Sequence, residues 1–169
     1  MHQIIIDGYN VIRQTVPYLA LADRGDLDQA RDALIGDVAA LATKETKVTV
    51  VFDGYSNPTS LGEPQNQIGV TVIFSPHGRS ADSVIEKLSH QARDRGDTVE
   101  VITSDATIQW TVMSGTVMRK SSREFAEEMR EDFHEWQKDN RQHSMRSSLD
   151  DRLSPEALAA LEKLNESGT

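Results

Sequence analysis

Short continuous runs of apolar residues recur along the first 120 residues, and most of them end in turn residues. The runs are Ile4–Ile6, Val48–Phe52, Val70–Phe74 and Val99–Thr103, with a weaker candidate at Thr116–Met118. Such runs are typical of strands buried on both faces of a parallel sheet. Apolar residues at helical spacing separate them, in residues 27–41, 81–92 and 106–113. The alternation predicts an α/β fold in which helices cover a mostly parallel sheet of about five strands.

Three further segments have different patterns. Residues 55–69 are rich in Gly, Pro, Asn, Ser and Gln, and we interpret them as a loop. Residues 121–141 are predicted to form a long helix whose single narrow apolar stripe either docks on the α/β body or binds a partner. A linker and a last helix that begins at Ser154 follow. We therefore expect one α/β domain in residues 1–142, and a linker with a C-terminal helix in residues 143–169.

Composition narrows the classes of function. The 169 residues carry 18 Lys and Arg against 27 Asp and Glu, a formal charge of −9, and no cysteine. The missing thiols exclude disulfides, thiolate zinc sites and thiol nucleophiles. No apolar run approaches the ~20 residues that cross a bilayer, and the first residues do not resemble a signal peptide, so we expect a cytoplasmic protein without a membrane partner. The negative charge by itself argues against a nucleic-acid partner, because Lys and Arg contacts to phosphate dominate such binding.

Four aspartates occupy equivalent places relative to the predicted strands. Asp7, Asp53 and Asp105 follow strands, and Asp82 lies in the first turn of a helix. Because ligands of parallel α/β sheets bind beyond the carboxyl ends of the strands, these side chains are expected at one edge. Each of them alone is as well explained as a turn or helix-start residue. Together they would repel one another without a cation, which predicts a bound Mg²⁺ or Mn²⁺.

A carboxylate-bound metal suits phosphoryl chemistry, and it also answers the objection from net charge. The candidate substrate-binding residues beside it are Arg79, Arg119 and Lys120 for phosphate, Tyr9 for base stacking, and Asn10 and Ser104 as polar contacts. Each has a structural alternative. The cations can be solvated surface residues, Tyr9 can be a packing residue, and Asn10 can form an Asx turn or cap a helix.

Four motifs occur in a fixed order along the chain. They are IIIDGYNVI at residues 4–12, VFDG at 51–54, ADSVIE at 81–86 and VITSD at 101–105. Together they resemble the NYN and PIN-like nucleases, and most closely the YacP-like branch. The resemblance implies a PIN-like three-layer α/β/α fold and a Mg²⁺- or Mn²⁺-dependent endoribonuclease that hydrolyses single-stranded RNA.

The resemblance also implies roles for individual residues. The acids that match Asp7, Asp82 and Asp105 line the metal site in that family, and the position of Asp53 lies at its edge. Asn10 matches the polar residue that follows the first acid. The branch includes nucleases that cut messenger RNA on the ribosome, so messenger RNA and the ribosome are implied partners.

Two other classes of function stay open. One is a small-molecule phosphatase on a similar sheet, although Tyr9 stands where the haloacid-dehalogenase pattern needs a second Asp. The other is a non-catalytic module that binds RNA or the ribosome through residues 119–123, with the acids in structural roles.

Overall fold

A computed structural model describes residues 1–54, 59–105 and 117–131 of the chain. The chain divides into two compact units, Met1–Glu128 and Met129–Thr169. The described residues of the first unit contain the sheet, and of the second unit only residues 129–131 are described. Several sequence predictions lie outside the described residues: the helix at 106–113, residues 132–141 of the long helix, the domain boundary between 142 and 143, the linker and the last helix.

The described residues form six strands, five α-helices and one short 3₁₀ helix. The strands are β1 (His2–Asp7), β2 (Thr46–Phe52), β3 (Gln65–Gln67), β4 (Val70–Phe74), β5 (Thr98–Ile102) and β6 (Val117–Lys120). The helices are α1 (Gly8–Gln14), α2 (Val16–Asp23), α3 (Leu27–Val38) with a 3₁₀ helix after it (Ala39–Leu41), α4 (Ala81–Asp94) and α5, which begins at residue 122 and is described to residue 131.

The six strands form one sheet in the order β3-β4-β2-β1-β5-β6. Every pair is parallel except β3 with β4, which is antiparallel at one edge. The predicted α/β class and the mostly parallel sheet are confirmed. The strand number was underestimated, because β3 lies within the segment that the sequence assigned to a loop. Its three residues, Gln65–Gln67, are polar because an edge strand has no second neighbour and little apolar cover.

The central strands are buried on both faces. In β1 every residue from Gln3 to Asp7 is buried, and in β2 every residue from Val48 to Phe52 is buried. On one face, α4 packs through Ala81, Ile85 and Ala92 against a core cluster that includes strand residues Ile5 and Val51. Successive side chains of a strand point to opposite faces, so Phe52, next to Val51, points to the other face, where α1 and α3 lie. The sheet is therefore covered by helices on both sides.

Two helices near the start of the chain were not predicted. Helix α1 has only seven residues, which are too few to show a helical period. In α2 apolar residues surround the helix. Pro17 stands in its first turn, where a backbone N–H would have no intrahelical acceptor, so the missing N–H of proline costs the helix nothing. Both ends of α4 are capped: the Ser80 hydroxyl accepts a hydrogen bond from the Ser83 N–H, and Gly96 ends the helix at a φ of 79°.

The strand order places a topological switch beside β1. The chain runs from β1 to β2 and β4 on one side, and then crosses to β5 and β6 on the other. In open α/β sheets ligands bind at such a switch, beyond the carboxyl ends of the strands. Among the described helices none is both long and apolar enough to cross a membrane.

Candidate active site

The structure brings the four predicted aspartates together at the carboxyl edge of the sheet. Asp7 ends β1, Asp53 follows β2 directly, Asp82 lies in the first turn of α4, and Asp105 follows β5. Asp82 and Asp105 repel the charge on Asp7, and Asp105 and Asp53 repel the charge on Asp82. All four carboxylates therefore share one electrostatic environment, on both sides of the switch between β1 and β5.

Asp7 is the most buried of the four, with 9% of its surface exposed. Burial raises the pKa of Asp7 to about 6, and repulsion from Asp82 and Asp105 adds to the rise. Two hydrogen bonds act against it: the Asn10 N–H donates to Oδ1 at 3.2 Å, and the Thr103 hydroxyl donates to Oδ2 at 3.3 Å. These bonds fix the orientation of a carboxylate whose negative charge is unfavourable where it stands.

Asp82 and Asp53 complete the negative edge. Burial, followed by repulsion from Asp105 and Asp53, raises the pKa of Asp82. Asp53 is exposed, and the hydroxyl of the buried Ser75 donates to its Oδ1 at 3.4 Å. The same hydroxyl oxygen accepts the Gly54 N–H at 2.8 Å, so Ser75 links the end of β4 to the turn after β2.

The carboxylates are near one another without forming a closed cage. In residues 1–54, 59–105 and 117–131, no three acidic, histidine or cysteine side chains are placed to hold one ion. Mg²⁺ commonly binds through one or two carboxylates and several waters, so direct contact with three side chains is not a requirement for that ion.

The structure gives two of the predicted phosphate-binding cations partners within the protein. The Lys120 ammonium forms ion pairs with Glu100 at 2.8 Å and Glu128 at 2.6 Å. The Arg119 guanidinium donates to the carbonyl oxygen of Thr103 at 3.2 Å. Arg79 differs from both, because it is exposed in the loop before α4, on the same edge as the aspartates.

Asn10 and Ser104 bond to each other. The side-chain oxygen of Asn10 accepts the Ser104 N–H at 2.9 Å and the Ser122 hydroxyl at 2.6 Å. The Ser104 hydroxyl donates to Gln14 Oε1 at 2.9 Å. The Asn10 N–H bonds Asp7, and its side chain connects α1 to the segment after β5 and to the start of α5.

Tyr9 packs against the protein through its ring and its hydroxyl. Its ring centroid lies 5.1 Å from that of Phe52, and its hydroxyl accepts a hydrogen bond from Arg31 Nη1 at 2.8 Å. The Arg31 guanidinium also lies over the rings of Phe52 and Phe74, at 6.0 and 5.5 Å, and pairs with Asp28. These contacts favour the packing alternative for Tyr9.

We expect Tyr9→Phe to lower the free energy of unfolding by about 1 kcal/mol, because the Arg31 guanidinium loses one hydrogen bond. The family resemblance implies single-stranded RNA as the substrate, and affinity for such an RNA should stay within about twofold of the wild type. The comparison is Tyr9→Leu, which removes the ring and would lose ~1–3 kcal/mol of binding energy if a base stacked on it. Chemical unfolding and RNA titrations of both variants measure the two effects, and a selective loss of RNA affinity in Tyr9→Leu would show that the ring stacks.

Several polar partners of the site were not predicted from the sequence. Thr103 and Ser75 orient aspartates, and Ser122 contacts Asn10 from a third segment. The sequence positions of Thr103 and Ser75 could have indicated this role, because both residues directly follow strands, as the aspartates do. For Ser122 the nearest signal is the Ser-x-x-Glu pattern of Ser121 and Glu124, which predicts a helix start but no contact to the site.

Comparison with known proteins agrees with this architecture. The model of the family described as "YacP-like NYN domain" matches residues 4–166. The protein YacP of Bacillus subtilis (strain 168) is 34% identical over 130 residues, which cover 76% of this chain and 75% of that protein.

Two crystal structures of Rae1 (YacP) from Bacillus subtilis are similar to this chain in fold. One superposes with a TM-score of 0.70 at 30% identity and covers 99% of this chain and 96% of the other. The second, a point mutant, gives a TM-score of 0.68 at 29% identity, with 84% and 82% covered. The protein therefore belongs to the YacP-like NYN domain family and has its PIN-like, nuclease-like fold.

Proposed function

We propose that this protein is a metal-dependent endoribonuclease that hydrolyses single-stranded RNA and leaves a 5′-phosphate and a 3′-hydroxyl. The observation that carries the proposal is the gathering of Asp7, Asp53, Asp82 and Asp105 at the switch of the sheet, where burial and mutual repulsion raise the pKa of Asp7 and Asp82. Membership of a family with a nuclease-like fold supports it.

The residues fit a hard divalent cation. All four candidate ligands are carboxylates, the donor type that Mg²⁺ and Mn²⁺ prefer. Asp7 carries a charge that burial and its neighbours disfavour, so a cation there would offset an electrostatic penalty already present in the fold. In this proposal Asp7, Asp82 and Asp105 hold the ion and Asp53 assists at the edge. When bound, a divalent cation supplies a more acidic water and neutralises charge on the scissile phosphate.

The chain's own groups orient these carboxylates. The Asn10 N–H and the Thr103 hydroxyl hold the two oxygens of Asp7, so that its side chain is fixed before any ligand arrives. Ser75 does the same for Asp53. Preorganisation of this kind removes part of the entropy loss from the reaction step.

Recognition of the RNA backbone is proposed for Arg79. It is exposed at the acidic edge, and a cation there offsets the repulsion that a phosphate would meet from the aspartates. Arg119 and Lys120 contribute instead by holding β5 and the residue that follows it: Arg119 donates to the Thr103 carbonyl, and Lys120 pairs with Glu100. The family resemblance extends the proposed substrate to messenger RNA on the ribosome, which co-sedimentation with ribosomes tests.

The central test is cleavage of a single-stranded RNA by the wild type, Asp82→Asn and Asp94→Asn in Mg²⁺, in Mn²⁺ and in EDTA. Asp94 is the matched control, because it lies at the other end of the same helix with 72% of its side chain exposed. We expect EDTA and Asp82→Asn each to lower kcat/KM by at least ~100-fold, since a metal supplies several kcal/mol of transition-state stabilisation. Asp94→Asn should cleave at the wild-type rate.

Other outcomes would identify the other classes of function. Equal cleavage by all three proteins would exclude the assignment of Asp82. Salt-dependent RNA binding that survives EDTA, with no cleavage in any metal, would indicate a binding module. Turnover of a generic phosphate ester without RNA cleavage would indicate a phosphatase.

A further inference from the structure

Ser122 lies at the start of α5 and is fully buried. It makes two hydrogen bonds to segments far away in the sequence: its hydroxyl donates to Asn10 Oδ1 at 2.6 Å, and its N–H donates to the Ser104 hydroxyl oxygen at 3.1 Å. One residue of α5 thereby connects the first turns of α1 to the end of β5.

Both segments that Ser122 contacts carry proposed metal ligands. Asn10, whose N–H donates to Asp7, lies on one side of the switch. Ser104 lies on the other side, directly before Asp105. The Ser104 N–H also donates to Asn10 Oδ1. Asn10, Ser104 and Ser122 therefore form one hydrogen-bond network that crosses the switch.

Contacts at the end of β6 hold the same region. The Thr103 N–H donates to the Lys120 carbonyl at 3.1 Å, and Arg119 donates to the Thr103 carbonyl. The hydroxyl of Thr103 in turn bonds Asp7 and accepts the Asp105 N–H at 3.1 Å. The junction of β6 and α5 therefore contacts the Thr103 backbone, two residues before Asp105, and the Asn10 side chain. These are the two residues that donate hydrogen bonds to Asp7.

We propose that Ser122 is a positioning residue that sets the spacing of Asp7 and Asp105 through Asn10 and Ser104. The inference rests on the proposed function, because its consequence is the arrangement of the proposed metal ligands. Loss of an outer hydrogen bond that orients metal ligands commonly weakens metal affinity by ~10–100-fold.

The neighbouring Ser121 offers a control that distinguishes an effect on the site from an effect on the stability of α5. Ser121 and Glu124 form a capping box: the Ser121 N–H and hydroxyl donate to Glu124 Oε2, and the Glu124 N–H donates to the Ser121 hydroxyl oxygen at 3.2 Å. Ser121→Ala removes the two hydroxyl bonds of this cap and leaves the contacts of Ser122 in place. The two serines therefore form a matched pair, one for the helix and one for the site.

The experiment compares the wild type, Ser121→Ala, Ser122→Ala and Ser122→Cys. The cysteine is close to serine in size but is a weak hydrogen-bond donor, and it serves if the alanine variant fails to fold. The readouts are Mn²⁺ affinity, the amide NMR signals of Ser104 and Asp105, and kcat and KM for RNA at saturating Mn²⁺. We expect the Ser122 variants to bind Mn²⁺ ~10-fold more weakly, to shift both amide signals and to lower kcat ~10-fold with KM within about twofold.

Ser121→Ala should lower the melting temperature and leave Mn²⁺ affinity, kcat and both signals as in the wild type. A further check uses Asn10→Ala: in that background Ser122→Ala should cause little additional loss, because the bond between the two residues is already absent. Wild-type Mn²⁺ affinity in both Ser122 variants, or equal losses of affinity in Ser121→Ala and Ser122→Ala, would overturn the proposal.

The readouts also separate this proposal from the proposed function. If the wild type cleaves no RNA, the nuclease assignment fails, and Mn²⁺ affinity with the amide signals still decides the role of Ser122. If the wild type binds no Mn²⁺, unchanged amide signals in the Ser122 variants overturn the positioning role and shifted signals support it.

Discussion

Asp7→Asn should make the metal-free protein more stable at neutral pH, by about 2 kcal/mol, while it lowers RNA cleavage at least ~100-fold. Burial, and then repulsion from Asp82 and Asp105, raises the pKa of Asp7 from 3.8 to about 6. That rise corresponds to about 3 kcal/mol of folding free energy lost when the carboxyl ionises. Asparagine has nearly the same shape and can accept the Asn10 N–H, so most of this loss should be recovered.

The raised pKa of Asp7 also determines how the stability difference between Asp7→Asn and the wild type depends on pH. Between about pH 4 and pH 6 the folded protein keeps a proton on Asp7 that the unfolded chain has released. The contribution of Asp7 to wild-type stability is therefore lost as pH rises through this window, and the loss is complete above it. Because the variant has no carboxyl at this position, the two proteins should converge in stability below about pH 4. Urea unfolding at a series of pH values measures the difference.

Asp94→Asn is the control, because it removes the charge of an exposed carboxylate. It should change stability little at any pH. Added Mg²⁺ gives the second comparison: it should stabilise the wild type by ~1.4 kcal/mol for each tenfold rise above its Kd, and leave Asp7→Asn unchanged. A variant less stable than the wild type at neutral pH, or a stability difference independent of pH, would contradict the electrostatic description of this edge.

The fold was predictable where burial determines composition. Strands such as β1 and β2 are covered on both faces, so their sequences are continuous apolar runs between turn residues. The elements that were missed lack such a signal. The apolar residues of α2 have no period, and β3 is a polar edge strand whose partner is chosen by the β3–β4 turn.

The aspartates of the site were predictable for a related reason. A strand end in a parallel sheet is a position in space as well as in sequence, so Asp7, Asp53 and Asp105 could be placed at one edge from the strand pattern alone. Their hydrogen-bond partners could not. Serine and threonine occur in every loop, and whether a hydroxyl such as that of Ser122 meets Asn10 depends on how α5 packs, which no local pattern encodes. The same holds for Tyr9, whose packing partner Arg31 comes from α3.

The glycine of the Asp-Gly-Tyr-Asn motif has a packing role. Gly8 is the first residue of α1 and is buried, and a Cβ there would overlap the Phe52 ring, with Cζ 3.0 Å away and two other ring atoms closer. The ring cannot easily move, because it is fully buried between Tyr9 and Phe74. We therefore expect Gly8→Ala to lower the free energy of unfolding by about 3 kcal/mol.

A double-mutant cycle tests this cause directly. Phe52→Leu alone should destabilise the protein by about 1–2 kcal/mol, and in that background Gly8→Ala should cost less than about 1 kcal/mol, because the smaller side chain leaves room for the methyl group. Gly36→Ala in α3 is the control: among the described residues, and apart from its chain neighbours and the backbone of its own helix, no atom lies within 4 Å of the new Cβ. Alanine should therefore stabilise the helix by about 0.5–1 kcal/mol. If Gly8→Ala costs the same in both backgrounds, the Phe52 ring is not what requires glycine between Asp7 and Tyr9.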